Sequence, residues 1–303
     1  MQEKMAFAGQ LDCYGKANEI ISKFTAIKVS EAQVYRVTDA YGKEIGKTVH
    51  QERTLPPIKK KEVLYVMADG SFIYTRNGEW KEAKLGRMFT SSDSIRMDEK
   101  RCFIRHSQYV AHVGDIHPFI ADMDGLIESY GHLGCQLVFL SDGAPWIRNW
   151  IGDSYPEAIS ILDFYHALHY LYEFADGCLP ADKREAWVEV QKKLLEEGRV
   201  KDVMDTITAL KADGRATKKI IDYYTANQNR MDYPRYKLIG CGLIGSGAIE
   251  SAHRTVIQRR LKLSGQRWTI AGAQNVLNLR VTKENGQWCN LVSLVKTEFK
   301  AAA

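Results

Sequence analysis

Two aspartates in this sequence each follow an apolar run and precede a glycine. The stretch QLVFLSDGAPW (136–146) places Asp142 where its apolar run stops, and EVLYVMADGSF (62–72) places Asp69 in the same way. Two adjacent strands that each end in a carboxylate put two oxygen ligands within reach of one divalent cation. Two such ions about 4 Å apart activate the attacking oxygen and stabilise the leaving one in phosphoryl transfer. The pair therefore predicts a site for two Mg²⁺ ions, with Mn²⁺ as an alternative.

Each Asp-Gly pair also has a plain structural explanation. For Asp69 it is a type I′ hairpin turn, because SFIYTR continues as a strand. That explanation fails for Asp142, because APWIRNW begins a helix and offers no second strand. Capping of this helix is the structural role that remains open for Asp142.

Two-metal chemistry requires a third carboxylate, and Glu250 is the candidate. It lies in GSGAIESAHR, where glycines on both sides of Ser246 permit close packing of the backbone. The capping-box position after Ser246 is Ile249, so that motif does not account for Glu250. A favourable charge near a helix N-terminus is the alternative. We expect its carboxylate within about 8 Å of those of Asp69 and Asp142, a separation that two ions can span. Helical spacing predicts one face that carries Glu250, Arg254, Ile257 and Leu261.

The residues after Glu250 form a basic cluster in a chain whose net charge is only +5. The stretch HRTVIQRRLKLSGQRW (253–268) contains no acidic residue. Such a run is either a solvated helix face or a surface that binds phosphates of a nucleic acid. The predicted DNA-binding residues are Arg254, Arg259, Arg260, Lys262 and Arg267.

The N-terminal part of the chain has helical periodicity. Residues 1–45 are predicted to form a helical hairpin, in which Ser30 and Gln33 make a capping box. This segment is either a helix-turn-helix or a plain hairpin, since Arg36 is its only exposed base. Residues 46–61, with two prolines and a lysine run, are predicted to be a basic linker.

The remaining periodicity predicts an α/β fold with a mixed sheet. VLYVMA, FIYTR and EWKEAKLGRMF are typical of three consecutive strands joined by tight turns. A helix over 115–131 and strands QLVFL and AISILDF follow, with a helix between the two strands. From about 167 to 236 only helical patterns occur, which indicates an all-helical insertion. A glycine-rich loop, a helix ending near Gly265 and a last helix over roughly 270–283 complete the chain.

Composition excludes several classes of protein. No apolar run approaches the roughly 20 residues of a membrane helix, so no membrane partner is expected. The six cysteines lie far apart without a C-x-x-C pair. This argues against a zinc ribbon or a disulfide framework and favours the cytoplasm.

Two long segments carry a resemblance to a known family. LSDGAPWIRNWIGDSYPEAISILDFYHALHYL and GSGAIESAHRTVIQRRLKLSGQRWTIAGAQNVLNLR resemble the DDE transposases of bacterial insertion sequences, specifically the Kra group and its Lre-like and Mutator-like relatives. The similarity covers roughly 62–290. It implies an RNase H-like catalytic domain over 62–303, with the helical insertion between the second and third acids. Carried onto this sequence, the catalytic acids are Asp69, Asp142 and Glu250.

The same resemblance implies a role for Asp163-Phe164-Tyr165-His166. It places His166 at the DNA-facing edge of the active site, with Asp163 orienting it. A histidine at the start of an amphipathic helix is otherwise a capped or half-buried residue, and that alternative stays open.

The implied function is metal-dependent cleavage of DNA at transposon ends, followed by strand transfer of the 3′-hydroxyl into target DNA. The implied partners are both DNAs and further copies of the chain on DNA. The alternatives are an RNase H-like nuclease without strand transfer and an inactive copy that only binds DNA. Family members usually carry a longer N-terminal region, so this copy is expected to be truncated or read from an internal start.

Overall fold

The computed structural model of the 303-residue chain describes residues 1–48, 55, 58–59, 62–97, 102–131 and 135–301. Most of the predicted linker lies outside these ranges, including Pro56, Pro57, Lys60 and Lys61.

Five strands of the described chain form one mixed sheet beside a small separate hairpin. In chain order the strands are β1 (Val63–Tyr74), β2 (Trp80–Thr90), β3 (Ser94–Arg96), β4 (Cys102–Ile104), β5 (Gln108–Val113), β6 (Gln136–Ser141) and β7 (Ile159–Leu162). The sheet order is β5-β2-β1-β6-β7, and β3 pairs only with β4. β2 is antiparallel to both β1 and β5, whereas β1, β6 and β7 are mutually parallel. The predicted α/β fold with a mixed sheet is confirmed.

The predicted break between the first two strands is wrong. β1 runs without interruption past Asp69 and pairs with β2 along its length, with Asp69 opposite Leu85. The turn comes later, between Thr75 and Glu79, which are joined by a backbone hydrogen bond of 2.9 Å. Gly70 is required for close approach rather than for a turn, because a Cβ there would collide with the Glu82 side chain of β2.

Helices cover both faces of the sheet. The helices between strands are α4 (Ile116–Ser129) and α5 (Pro145–Ser154), and those after β7 are α6 (Phe164–Cys178), α7 (Ala181–Glu196), α8 (Val200–Ala209), α9 (Gly214–Asn227), α10 (Tyr233–Tyr236), α11 (Gly247–Ala252), α12 (Arg259–Leu261), α13 (Ile270–Glu284) and α14 (Trp288–Ala301). On one face, α4 and α5 pack with apolar side chains that alternate along β1 and β6. On the other face, α6 and the helices after it bury the opposite set. The segment from α6 to α10 contains helices and no strand.

The N-terminal segment forms three helices rather than two. They are α1 (Gln2–Leu11), α2 (Tyr14–Thr25) and α3 (Glu31–Gly46). The predicted capping box is confirmed: Ser30 and Gln33 each accept a hydrogen bond from the other's backbone N–H. Tyr41 and Ile45 of α3 pack against Leu279 of α13, so these helices share a core with the C-terminal helices. Within the described ranges, no helix has the length and apolar character needed to cross a bilayer.

Candidate active site at the carboxyl ends of the parallel strands

Asp69 and Asp142 lie side by side in the fold. The parallel pairing of β1 with β6 ends at Met67 opposite Leu140. Asp69 and Asp142 each lie two residues beyond this last pair, after Met67 and Leu140 respectively. Because side chains alternate between the faces of a sheet, both aspartates share the face of that last pair. Neighbouring strands lie about 4.8 Å apart, so the two carboxylates are neighbours.

The carboxyl group of Asp69 has a raised pKa, which reflects its burial and the negative charges near it. Burial and then the charge of Asp142 raise its pKa, and smaller increases come from Glu250 and Glu82. The N–H of Gly70 donates to Asp69 Oδ1 at 2.7 Å and opposes the rise, which brings the pKa to about 6. A like charge raises the pKa of a carboxyl group only from nearby. Three acids from three distant parts of the sequence therefore come together.

Asp142 occupies the turn between β6 and α5. Its carboxylate accepts a hydrogen bond from the N–H of Ala144 at 2.9 Å. The helix begins at Pro145 with Ala144 as its N-cap residue, so Asp142 does not cap it. Gly143 has φ of 87°, a conformation that favours glycine and explains the Asp-Gly pair here.

Two residues from the helical segment after β7 fix the end of β6. The Tyr223 hydroxyl donates to the carbonyl of Asp142 at 2.9 Å. The buried Arg230 donates to Ser141 Oγ at 2.8 Å and to Asn227 Oδ1 at 3.0 Å. Burial lowers the pKa of Arg230, and the negative charge of Asp142 is among the opposing causes. The insertion therefore contributes both a positive charge and a hydrogen bond beside Asp142.

Glu250 is exposed in the first turn of α11, and the loop before it is tied down at two points. The buried carboxylate of Asp163 accepts hydrogen bonds from both the N–H and the hydroxyl of Ser246. The guanidinium group of Arg87 in β2 donates to the carbonyl of Ala248 at 2.6 Å. Ser246 is the N-cap residue, but its hydroxyl bonds to Asp163 rather than to the helix. These contacts fix the position from which Glu250 projects.

Asp163 and His166 have different surroundings. Asp163 caps α6 by accepting hydrogen bonds from the backbone N–H groups of Tyr165 and His166. The contact with His166 is therefore through its backbone and not through the imidazole. That half-buried ring lies 5.7 Å from the Tyr170 ring and 6.3 Å from the Tyr223 ring, between centroids. Because Tyr223 holds the carbonyl of Asp142, His166 lies on the Asp142 side of the site.

A histidine that sequence reasoning missed touches the first acid. His253 is buried, and its Nε2 lies 3.2 Å from Oδ2 of Asp69. Its Nδ1 lies 3.1 Å from the hydroxyl of Ser71, two residues further along β1. Burial lowers the pKa of His253 to about 4, so the ring is neutral at pH 7. The signal in the sequence was the spacing Glu250-x-x-His253, which places both residues one helical turn apart.

The helix that carries His253 changes its hydrogen-bond pattern. After α11 the backbone forms a π-helix over His253–Gln258, a conformation often found at functional sites. Arg280 of α13 donates to the carbonyl of Val256 at 2.6 Å and also to that of Thr255. A further bond of 2.6 Å joins Arg280 to the carbonyl of Gln10 in α1. The buried guanidinium group thus satisfies carbonyls of the π-helix and ties it to the N-terminal helices.

The π-helix alters which residues share a face. Glu250 and Arg254 are exposed, whereas Ile257 and Leu261 are buried. The predicted common face of these four residues is therefore wrong. Its basis was an uninterrupted period of 3.6 residues, and the wider π turn rotates the later residues towards the core.

The five predicted DNA-binding residues divide into exposed and buried ones. Arg254, Arg259, Lys262 and Arg267 are exposed. Burial lowers the pKa of Lys262, and the negative charge of Asp69 opposes this change.

Arg260 is 1% exposed, so the prediction that it contacts DNA is wrong. It donates from Nε to the carbonyl of Gly9 at 2.8 Å. Its guanidinium carbon lies 4.8 Å from the ring centroid of Tyr14 and 4.9 Å from that of Trp268. Burial lowers the pKa of Arg260, while the neighbouring Tyr14 is the first of the groups that oppose this.

A groove of about 1150 Å³ opens beside Glu250. Its walls are the glycine-rich loop, the β3–β4 hairpin and the side chains of Arg87, Lys237 and Tyr165. It does not include Asp69 or Asp142. In the part of the chain that the structure describes, no three His, Cys, Asp or Glu residues stand close enough to hold a metal ion. The charges of Asp142 and Glu250 nevertheless raise the pKa of Asp69.

Fold and site together define a mixed α/β protein with a cluster of carboxylates where its parallel strands end. The chain belongs to UPF0236, an uncharacterised protein family whose model matches residues 4–298. It is 23% identical over 305 residues to the "UPF0236 protein in vanSb 3'region" of Streptococcus gallolyticus. That match covers 94% of this chain but 63% of the relative, so the chain spans less than two thirds of the relative's length.

A transposase structure is among the solved structures that match. The Drosophila P element transposase strand transfer complex aligns with a TM-score of 0.33 and 10% identity, over 98% of this chain and 80% of that chain. A TM-score at this level does not establish a shared fold, so the proposals below rest on the geometry of the site.

Proposed function

We propose that this protein is a DDE-type DNA transposase, which cleaves DNA at transposon ends and transfers the 3′-hydroxyl into target DNA. The observation that carries the proposal is the convergence of Asp69, Asp142 and Glu250. The charges of the latter two both raise the pKa of Asp69, although they come from a different strand and from a helix beyond the insertion. A cluster of like charges costs stability, and functional sites are where such cost is commonly found.

The sheet supports an RNase H-like core. Three strands, β1, β2 and β5, form an antiparallel unit, and β6 and β7 extend it in parallel on the other side of β1. This arrangement supports the RNase H-like core that the family resemblance implies. The acids lie at the carboxyl ends of the parallel strands, where open α/β sheets generally bind their ligands.

The donor set fits hard divalent cations. Asp69, Asp142 and Glu250 would hold Mg²⁺, or Mn²⁺ in its place, as carboxylate oxygens are the ligands both prefer. Burial and then the charges of Asp142 and Glu250 raise the pKa of Asp69, and a bound cation would offset the part that comes from these charges. When bound, two such ions supply activation of the attacking oxygen and charge stabilisation of the leaving one. Arg230 and Tyr223 hold the turn at Asp142 in place through their hydrogen bonds to Ser141 and to the carbonyl of Asp142.

DNA would approach over the exposed basic residues that follow Glu250. Arg254, Arg259, Lys262 and Arg267 offer four positive charges for phosphate contacts. Lys262 lies near enough to Asp69 for the carboxylate to affect its pKa, which connects this surface to the acids. His166, on the Asp142 side, would face the scissile strand. We propose further copies of the chain on the same DNA, with the helix-turn-helix prediction for α2 and α3 still to be tested.

The experiment uses linear DNA that carries the sequences on both sides of the gene, where the terminal repeats of an element would lie, together with a target plasmid and Mg²⁺ or Mn²⁺. Wild-type protein is expected to cleave at the repeats and to join the 3′-ends to the plasmid. Asp142→Asn is expected to abolish both products while the fold and DNA affinity stay unchanged, because an amide cannot supply the anionic ligand. Asp153→Asn, at an exposed position of α5, is the matched control.

The products decide between the alternatives. Cleavage without joined product would instead make the protein an RNase H-like nuclease. Binding without cleavage by the wild type would make it a copy that only binds DNA. Robust cleavage by Asp142→Asn would remove the metal-ligand role of this residue.

A further inference from the structure

His253 combines deep burial with an unsatisfied nitrogen. It is 3% exposed, and its Nε2 has no hydrogen-bond partner among the described residues. Leaving a buried polar atom without a partner costs about 1–3 kcal/mol. Such an atom in a native structure calls for an explanation, and binding of an ion is one of the usual ones.

Nε2 of His253 lies close to the carboxylate of Asp69, but the geometry is not that of a hydrogen bond. Nε2 and Oδ2 of Asp69 are 3.2 Å apart, a distance at which a straight N–H···O contact would be a hydrogen bond. The atom is nevertheless unsatisfied, so the bonding direction of Nε2 in the plane of the ring diverges from this oxygen. Two ligands in adjacent positions around one octahedral cation have this arrangement. With bonds of about 2.1 Å to the cation, the two ligand atoms lie about 3 Å apart.

The other ring nitrogen has the partner expected of a metal-binding histidine. Nδ1 lies 3.1 Å from the hydroxyl of Ser71. Ligating histidines almost always donate their second N–H to an oxygen, which fixes the ring and leaves the first nitrogen free to bind. The position of the ring and its contact with Ser71 therefore match a ligand held in place by β1.

The position of His253 in the sequence agrees with this arrangement. It stands three residues after Glu250, in the spacing Glu-x-x-His. In carboxylate-bridged dimetal proteins, this spacing on a helix supplies one oxygen and one nitrogen ligand to the same centre.

We propose that His253 binds, through Nε2, the same divalent cation as Asp69, and that this nitrogen ligand makes the site favour Mn²⁺ over Mg²⁺. Imidazole suits first-row transition ions, whereas Mg²⁺ prefers oxygen ligands alone. The inference rests on the metal site of the proposed function but not on DNA cleavage.

The test measures metal binding directly on the full chain without DNA. Protein freed of metal with a chelator is loaded with less than one equivalent of MnCl₂, and pulsed electron paramagnetic resonance records the coupling of Mn²⁺ to ¹⁴N. Wild type is expected to show the coupling of one imidazole nitrogen. His253→Leu is expected to abolish it and to lower the Mn²⁺ to Mg²⁺ affinity ratio on the order of 10–100-fold, the range seen when the support of a metal ligand is removed.

Two further variants make the result decisive. His117→Leu, at an exposed position of α4 on the other face of the sheet, is the matched control and should retain the coupling. His253→Gln keeps a polar side chain for the case that His253→Leu does not fold, and it too should lose the ¹⁴N signal. Bound Mn²⁺ without nitrogen coupling in wild type, or coupling that persists in His253→Gln, would overturn the inference.

The outcome is independent of the proposed function. Nitrogen coupling without DNA cleavage by wild type would sink the transposase proposal and leave the metal ligand in place. DNA cleavage that requires the carboxylates of Asp69, Asp142 and Glu250, without nitrogen coupling, would support the transposase proposal and contradict the role of His253 as a metal ligand. An equal loss of Mn²⁺ and Mg²⁺ affinity in His253→Gln, with no coupling in wild type, would reduce His253 to a support for the Asp69 carboxylate.

Discussion

The carboxylate of Asp163 binds Ser246, 83 residues further along the chain, through both its backbone N–H and its hydroxyl. The same carboxylate caps α6 at the N–H groups of Tyr165 and His166. One buried side chain thus joins the start of the helical insertion to the loop that returns from it. Glu250 follows this loop directly, so its position relative to Asp69 and Asp142 depends on the contact.

We predict that Asp163→Ala lowers both the stability and the activity. The variant loses a helix cap, about 1 kcal/mol, and leaves buried donors of Ser246 without an acceptor, for a total of about 2–4 kcal/mol in the free energy of unfolding. Urea unfolding measures this loss, and cleavage is assayed under conditions where the variant is folded. We expect the cleavage rate to fall because Glu250 is no longer held.

A helix cap without the second contact provides the control. Asp213 is exposed and caps α9 through the N–H of Arg215 at 3.0 Å. Asp213→Ala should cost only about 1 kcal/mol and leave cleavage unchanged. Equal effects of the two substitutions would mean that Asp163 is a cap and nothing more.

The sequence predicted the position of Asp142 at the end of a strand better than that of Asp69. Asp142 ends a parallel strand whose apolar run is complete in itself, so its position could be inferred locally. Asp69 could not be placed in this way. The Asp-Gly pair suggested a break, whereas β1 continues through Gly70 because it pairs with β2 on both sides of this residue, with Asp69 opposite Leu85 and Ser71 opposite Ala83.

The basic helix shows the same limit of local reasoning. A period of 3.6 residues cannot reveal a π-helix whose carbonyls accept hydrogen bonds from Arg280, a residue of another helix. Nor can a run of arginines show that Arg260 alone is covered by the N-terminal helices, through Gly9 and Tyr14. Burial of His253 follows from the same long-range packing, which is why its proximity to Asp69 was missed.

We predict that Asp69→Asn stabilises the protein at pH 8 in the presence of excess chelator. The folded-state pKa of about 6 lies above the value of about 4 in an unfolded chain, so folding favours the protonated form. The resulting cost is complete above pH 6 and disappears as the pH falls towards 4. The Asp69 side chain is 31% exposed, and with solvent screening we expect a gain of about 1–2 kcal/mol at pH 8 and none at pH 4.

Urea unfolding of wild type, Asp69→Asn and the exposed control Asp153→Asn at both pH values tests this prediction. Added Mn²⁺ should stabilise wild type and leave Asp69→Asn unchanged, because a ligand that binds only the folded state raises its stability. If Asp69→Asn is no more stable than wild type at pH 8, neither burial nor the neighbouring carboxylates destabilise the charged form of Asp69.

Arg259 and Arg260 are adjacent in sequence but should respond to substitution in opposite ways. Arg259 is exposed, and Arg259→Gln should weaken DNA binding without sequence preference and reduce the salt slope by about one unit. Arg260 is buried, and Arg260→Gln should leave the salt slope unchanged but lower the free energy of unfolding by about 2–4 kcal/mol. Binding measured across a salt series, together with urea unfolding, separates the two effects. A flattened salt slope for folded Arg260→Gln would mean that the arginine reaches phosphate after all.

The π-helix is expected to depend on Arg280. Arg280→Leu removes the donors to the carbonyls of Thr255, Val256 and Gln10, all from a side chain that is 4% exposed. Loss of several charge-assisted hydrogen bonds at a buried site should cost about 3 kcal/mol or more. Hydrogen exchange should accelerate over residues 253–258 more than elsewhere in the core, since this segment loses its external support. Lys283→Leu, on the same helix and partly exposed, is the control and should leave that exchange unchanged.

Because the π-helix directs His253 towards Asp69, Arg280→Leu should also weaken Mn²⁺ binding without touching any ligand. Unaltered exchange over residues 253–258 in a folded Arg280→Leu variant would show that the π-helix is maintained by the packing of His253, Val256 and Ile257 alone.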